Sequence, residues 1–240
     1  MGPTRTVAPG PNQTVELRIA KIEVVATDLA ESYRAGLSPH LDHVTRVADP
    51  FHVVRVANRC MDTVRRRVQN EQLGHRGRKR DPLFKIRKIL LAGSERVTGD
   101  GIDRMLLGLR AGDPNDELLG AWLAKESVRD VFLTDDPAEA ALLLDKTIAG
   151  CLADVVAEIR ALGGTLKRWR TEILAHHSTG ASNGPTEGLN LLVKEVKRCG
   201  RGFENFEHYR LRVLLRAGKP TWPNRPTPPI LRTSHPHAHA

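Results

Sequence analysis

Cysteine is scarce. Cys60, Cys151 and Cys199 stand far apart, are odd in number and form no Cys-x-x-Cys pair. That excludes a disulfide scaffold and a structural zinc site, and it fits reduced thiols in a cytosolic protein. No apolar run approaches the ~20 residues of a membrane span, and the N-terminus has no signal-peptide pattern. There is no internal repeat. Glycine motifs of the Walker or Rossmann type are missing, so the common phosphate-cradling loops are not used here.

What the chain does have is a basic excess. Its 240 residues carry 37 Lys plus Arg against 28 acidic residues, a formal net charge of +9 and a pI near 9.9. That balance favours a polyanionic partner, nucleic acid first. Apolar residues make up 40% of the chain, enough for a core in one large or two small domains. Arg65-Arg66-Arg67 continues a helix, and His75-Arg76-Gly77-Arg78-Lys79-Arg80 is a glycine-broken loop. Arg65, Arg66, Arg76, Arg78, Lys79 and Arg80 form a candidate phosphate-contacting surface. The plain alternative is a solvated basic loop.

Read in order, residues 1–20 are a proline- and glycine-bearing leader that predicts disorder. Ile22 to Thr27 is an apolar, β-branched run expected as a buried strand, with Asp28 at its carboxyl end. Leu29 to Leu37 predicts a short helix. Val44 to Ala48 predicts a second strand, and Asp49-Pro50 opens a helix reaching about Gln69. Strand, helix, strand, helix is the order of parallel α/β structure, whose ligands bind beyond the carboxyl ends of strands. Asp28 and Asp49 both fall there. Asp49, followed by proline, is equally readable as an N-cap, and Asp28 is also readable as a cap, though one leading directly from a buried strand.

From Asp81 to about Ser178 the pattern is nearly all helix. Asp81-Pro82, Asp113-Pro114 and Asp136-Pro137 read as helix starts. Apolar stripes follow: Leu83, Ile86 and Leu90; Leu118, Leu119, Trp122 and Leu123; then Leu142, Leu143, Ile148, Leu152, Val155, Val156 and Ile159, ended by Gly163-Gly164. Leu166, Trp169, Ile173 and Leu174 belong to a last helix, with the tryptophans as core. His176-His177 lacks a partner ligand at suitable spacing. Beyond Gly218 the Pro/His-rich tail forbids regular structure.

Ser182 to Asn190 (SNGPTEGLN) leads into a helix begun by Gly184-Pro185. Leu189, Leu192, Val193 and Val196 make an apolar stripe that needs a core. Glu187, Asn190, Lys194 and Lys197 or Arg198 line another face. A carboxylate, an amide and cations on one face suit a metal ion and a phosphate backbone. Taken alone, Glu187 reads first as a first-turn residue satisfying the helix N-terminus.

The stretch Ser182-Asn183-Gly184-Pro185-x-Glu187-Gly188-x-Asn190, the basic helix, Gly202-Phe203-x-x-Phe206 and Tyr209-Arg210-Leu211-Arg212 form one compound pattern. It closely resembles the C-terminal end of bacterial insertion-sequence transposases of the DDE type, ISL-three group. The runs from Thr27 to Tyr33 and from Ala48 to Val53 are similar to the same group. By that resemblance Asp28 matches the second acidic residue of the DDE set and Glu187 the third. Asp49 and His52 match a further signature.

The resemblance implies an α/β fold: a partial ribonuclease-H-like core (βαβα) with a large all-α insertion, predominantly helical overall. The expected layout is a leader (1–20), the partial core (21–70), the helical insertion (71–178), the Glu187 and C-terminal helices (179–217) and the tail (218–240). It also implies phosphodiester cleavage and strand transfer in DNA with Mg²⁺ or Mn²⁺. Asp28 and Glu187 would be ligands, and Asn190, Lys194, Lys197 and Arg198 would be DNA contacts. Insertion-sequence ends, target DNA and further copies of the chain would be partners in the bacterial cytoplasm, near the nucleoid. The family's first catalytic Asp finds no match upstream of Ile22, so a truncated form is expected, with Asp49 the first suspect for a third carboxylate. Two strands without sheet neighbours predict a partly unfolded chain. The alternative is a non-catalytic DNA-binding remnant or regulator of transposition.

Overall fold

The computed structural model describes residues 19–37, 39 and 41–218. Most of the leader, and the tail beyond Gly218, lie outside the described residues. Two strands are present among them, β1 (Val24–Thr27) and β2 (Thr45–Ala48), paired in parallel with Val24 opposite Thr45 and Thr27 opposite Ala48. The helix α1 (Glu31–Leu37) makes the crossover. Strand positions agree with the apolar runs to within two residues.

Burial departs from expectation. Every residue of β1 is half-buried, whereas Val47 and Ala48 of β2 are buried. The reason is what covers them. β2 lies against the helix α8 (Arg170–Thr179), while β1 has β2 as its strand neighbour among the described residues.

Asp49 caps α2 (Pro50–Leu73), proline fills its first turn, and Gly74 ends it in a left-handed conformation at φ 69°. Glycine fits that position because it has no Cβ penalty there. Val53, Ala57, Met61, Val64 and Val68 recur at helical spacing and are buried. Around this helix gather α3 (Pro82–Leu91), α4 (Gly99–Gly112) and α5 (Glu117–Asp130); α6 (Pro137–Ala153) packs on α5, and α7 (Ala157–Arg168) and α8 join α6 to α2. One hydrophobic cluster runs from Ala48 through these helices to Ile173. Trp169, at the α7–α8 junction, is buried in it, and Trp122 packs on its edge.

Three local readings need correction. Asp113 is not the N-cap of the next helix: it closes α4, and Asp116, at φ 54°, begins α5. Its carboxylate still caps α5, because Oδ2 accepts the amides of Leu118 and Leu119 at 2.9 Å each. The stripe from Leu142 to Ile159 is broken: α6 stops at Ala153, Leu142 is 73% exposed and Val155 89% exposed, while Leu144 faces the core. Gly163-Gly164 does not end a helix but lies within α7. Gly163 lets α7 approach α6, since a Cβ there would sit 2.8 Å from Cys151 Cβ and 3.0 Å from the Leu152 amide nitrogen.

The chain divides at Asn183–Gly184 into two compact units. The second contains α9 (Gly184–Cys199) and α10 (Phe206–Ala217), packed on each other. No residue of either helix is buried. The α9 stripe therefore meets α10 rather than a core: Leu192, Val193 and Val196 are half-buried and Leu189 is exposed. Tyr209 packs beside Phe203, with ring centroids 5.1 Å apart, and Arg212 lies over Phe203.

All three cysteines are free: Cys151 is buried, Cys60 half-buried and Cys199 exposed. Burial pushes the Cys60 thiol up to about 12 and that of Cys151 to about 11. No described helix is long and apolar enough to cross a membrane.

Candidate functional site

Parallel pairing brings the ends of β1 and β2 side by side, so the next residues, Asp28 and Asp49, become neighbours across the ladder. The Asp49 amide extends that ladder by donating to Thr27 O at 3.2 Å. Asp49 is buried, and donors meet both its oxygens. Oδ1 accepts the Asn183 amide at 2.8 Å. Oδ2 accepts the His52 amide at 3.3 Å and lies 2.9 Å from His52 Nδ1. Burial alone would push the Asp49 carboxyl up. The Asn183 amide and the His52 side chain and amide outweigh it and hold the group below its ordinary value.

His52 stands in the first turn of α2, so its ring reaches back over the strand ends. Its Nε2 lies 3.1 Å from Asp28 Oδ1. One imidazole thus bridges the two carboxylates, with the Phe51 ring edge-on to it at 5.4 Å. Asp28 is the open member of the set, its side chain 41% exposed. Its backbone carbonyl accepts the Ala30 amide at 2.8 Å.

A hard divalent cation asks for carboxylate oxygens not already held by donors. Asp28 meets that requirement, because its exposed carboxylate has one oxygen turned to His52. Asp49 does not, since N–H groups surround both of its oxygens. Among the described residues no group of three or more His, Cys, Asp or Glu side chains converges as a metal cage. His176 and His177 are packing residues: His176 Nδ1 contacts Ala181 O at 2.8 Å, and the His177 ring stacks on Phe132.

In the second unit Glu187 occupies the first turn of α9, and Asn190, Lys194, Lys197 and Arg198 follow along the same helix, all exposed. In the first unit the basic residues separate into two kinds. Arg65 is buried, with its guanidinium bound to Asp62 Oδ1 at 2.6 and 3.0 Å and to Gln69, so it cannot meet a phosphate without leaving the core. Arg66 is exposed and pairs with Asp62 at 2.5 Å. Arg76, Arg78, Lys79 and Arg80 are exposed in the turn after Gly74. Lys85 and Lys88, exposed on α3, continue that basic surface. Sequence reading passed over these two, although their i, i+3 spacing opposite Leu83, Ile86 and Leu90 marks a solvent face. It also left the third arginine of the run, Arg67, without a role. Arg67 joins three helices, with Nε 2.7 Å from Glu158 and Nη2 2.5 Å from Glu117.

Comparison with known proteins now adds to this geometry. A family model described as a transposase, of the DDE type and ISL-three group, matches residues 9–213. The chain is 27% identical over 229 residues to the transposase for insertion sequence element IS1557 of Mycobacterium tuberculosis, covering 87% of this chain and 51% of that protein. It is 23% identical over 194 residues to the transposase for insertion sequence element IS1001 of Bordetella parapertussis, covering 80% of this chain and 47% of that protein. The chain therefore spans about half the length of these relatives. No solved structure matches. With the family model covering most of its length, the chain belongs to the ISL-three group of DDE-type insertion-sequence transposases.

Proposed function

We propose that this chain contributes to DNA transposition by phosphodiester cleavage and strand transfer, with Asp28 and Glu187 as two of the acting carboxylates. The observation that carries the reading is Asp28: an exposed carboxylate at the carboxyl end of a parallel strand, where α/β folds place their chemistry, in a chain of this family. The βαβ segment is read as part of a ribonuclease-H-like core. Asp28 and Glu187 would hold Mg²⁺ or Mn²⁺, which supplies Lewis-acid polarisation of the scissile phosphate and activation of the attacking oxygen. The remaining residues bind and orient. Asn190, Lys194, Lys197 and Arg198 lie along α9 after Glu187, where they would grip the backbone beside the reacting phosphate. Arg66, Arg76, Arg78, Lys79, Arg80, Lys85 and Lys88 would hold duplex DNA. Arg65 is removed from this set by its burial. Asp49 is assigned an anchoring role, since its oxygens already serve α2, His52 and Asn183.

The test is strand cleavage and strand transfer with Mg²⁺ or Mn²⁺ on DNA carrying insertion-sequence ends, comparing the chain with its Glu187→Gln and Asp28→Asn variants. Activity abolished in both variants supports the reading. Activity that survives in either overturns the ligand assignment. DNA binding without turnover, equal in all three, would favour a second reading. In that reading the exposed loop Arg76–Arg80 makes the chain a binding module of the transposition apparatus.

A further inference from the structure

Asp49, His52 and Asp28 form a short chain of contacts whose order is informative. The buried end is the fixed end. Asp49 is bound by a backbone amide of a distant segment, Asn183, and by the first turn of its own helix, at 2.8 and 3.3 Å. His52 is held next, by Asp49 through Nδ1 at 2.9 Å and by the edge-on Phe51 ring. Asp28 is the exposed end, in contact with His52 Nε2 at 3.1 Å. An exposed aspartate ordinarily samples several rotamers, whereas a ligand must present its oxygens in one direction. A carboxylate–histidine pair that orients a neighbouring ligand is a known way to meet that need.

We infer that His52 is a positioning residue for Asp28: Asp49 fixes the ring, and the ring aims the Asp28 carboxylate for the cation and the DNA it serves. The inference rests on the reading of Asp28 as a catalytic ligand. It explains why a histidine rather than a further carboxylate stands between two aspartates at the strand ends. It also gives Asp49 a part in the chemistry without asking it to bind metal. Asn183 belongs to the same arrangement through its amide, which holds the buried end of the chain of contacts.

Two substitutions separate the two sides of the ring. His52→Asn keeps an amide near the position of Nδ1, and with it the contact to Asp49, but cannot reach Asp28. His52→Gln places its amide nearer Nε2 and can still meet Asp28. Mn²⁺ binding to the full chain, followed by electron paramagnetic resonance of the free ion, is the first readout. The thermal midpoint is measured alongside. His52→Asn should weaken Mn²⁺ binding about 10- to 100-fold while melting close to the unsubstituted chain, and His52→Gln, which keeps the Asp28 contact but loses the Asp49 one, should recover part of that loss. A purely structural histidine would give the opposite order: His52→Asn neutral in both measurements.

A metal-free readout covers the case in which His52 variants fail to fold. In the Asp28→Asn chain, the ¹⁵N resonance of His52 Nε2 should shift. If Nε2 does not respond, the contact with Asp28 is absent and the inference is overturned. If Asp28→Asn weakens Mn²⁺ binding and His52→Asn does not, the inference fails while the catalytic reading stands. If Asp28→Asn leaves Mn²⁺ binding unchanged, the catalytic reading itself fails and takes the inference with it.

Discussion

Asp49 shows how one residue can satisfy two sequence arguments at once. As an aspartate before a proline it reads as a cap, and as an aspartate after a strand it reads as a site residue. The structure makes it the cap of α2 and joins it to Asn183 and His52. The cap was legible because its partners are local. The tie to Asn183 was not, because the contact crosses most of the chain and leaves no periodic trace. Asparagine at this position would keep an acceptor for one partner but turn an N–H donor toward another. Asp49→Asn should therefore lower stability by about 2 kcal/mol, read as a shifted urea midpoint at unchanged slope. The pH dependence has a definite sign. Asp49 is held below its ordinary value, so its ionised form stabilises the fold at neutral pH. That contribution is lost as pH falls below about 4 and through the lowered value. The difference in midpoint between Asp49→Asn and the unsubstituted chain should shrink on acidification, and a constant difference would contradict the assignment.

At the scale of the element, the sequence revealed that residues 81–178 are helical but not where the helices turn. Asp81 and Asp136 mark starts correctly, each followed by proline. One failure came at Gly163-Gly164, where a pair of glycines looked like a terminator. The two glycines differ only in what lies opposite them, which one-dimensional reading cannot see. Gly163 faces Cys151 across the α6–α7 crossing, whereas a Cβ at Gly164 meets nothing within 4 Å. Gly163→Ala should destabilise by about 1–3 kcal/mol through forced separation of the helices. Gly164→Ala should stabilise by about 0.5–1 kcal/mol by restricting the unfolded chain and favouring helix. Thermal midpoints moving in opposite directions would confirm the crossing. Arg67 illustrates a related limit. Within a run of three arginines, sequence cannot say which one is exposed, which is buried and which ties α2 to α5 and α7.

For the molecule as a whole, net charge was legible from composition, but its useful part was not. Of the cations named from sequence in the first unit, Arg65 is internal, while Arg76, Arg78, Lys79 and Arg80 are exposed. Each phosphate contact contributes about 0.9 to the slope of log affinity against log salt. Replacing Arg76 and Lys79 together with glutamine should therefore lower that slope by about 2 without changing the melt. Arg65→Gln should leave the slope alone and lower the melting midpoint. The converse result, a slope change from Arg65, would mean that α2 opens on binding DNA.

The cysteine distribution has its own consequence. Cys60 and Cys151 sit in the first unit with raised thiols, while Cys199 stands exposed at the end of α9. An alkylating reagent thus meets one exposed sulfur beside the basic residues of α9, a half-buried one at Cys60 whose raised thiol slows it, and one at Cys151 that waits for the fold to open. The chain carries its own attachment point for a fluorophore next to Arg198, and its own internal clock for unfolding.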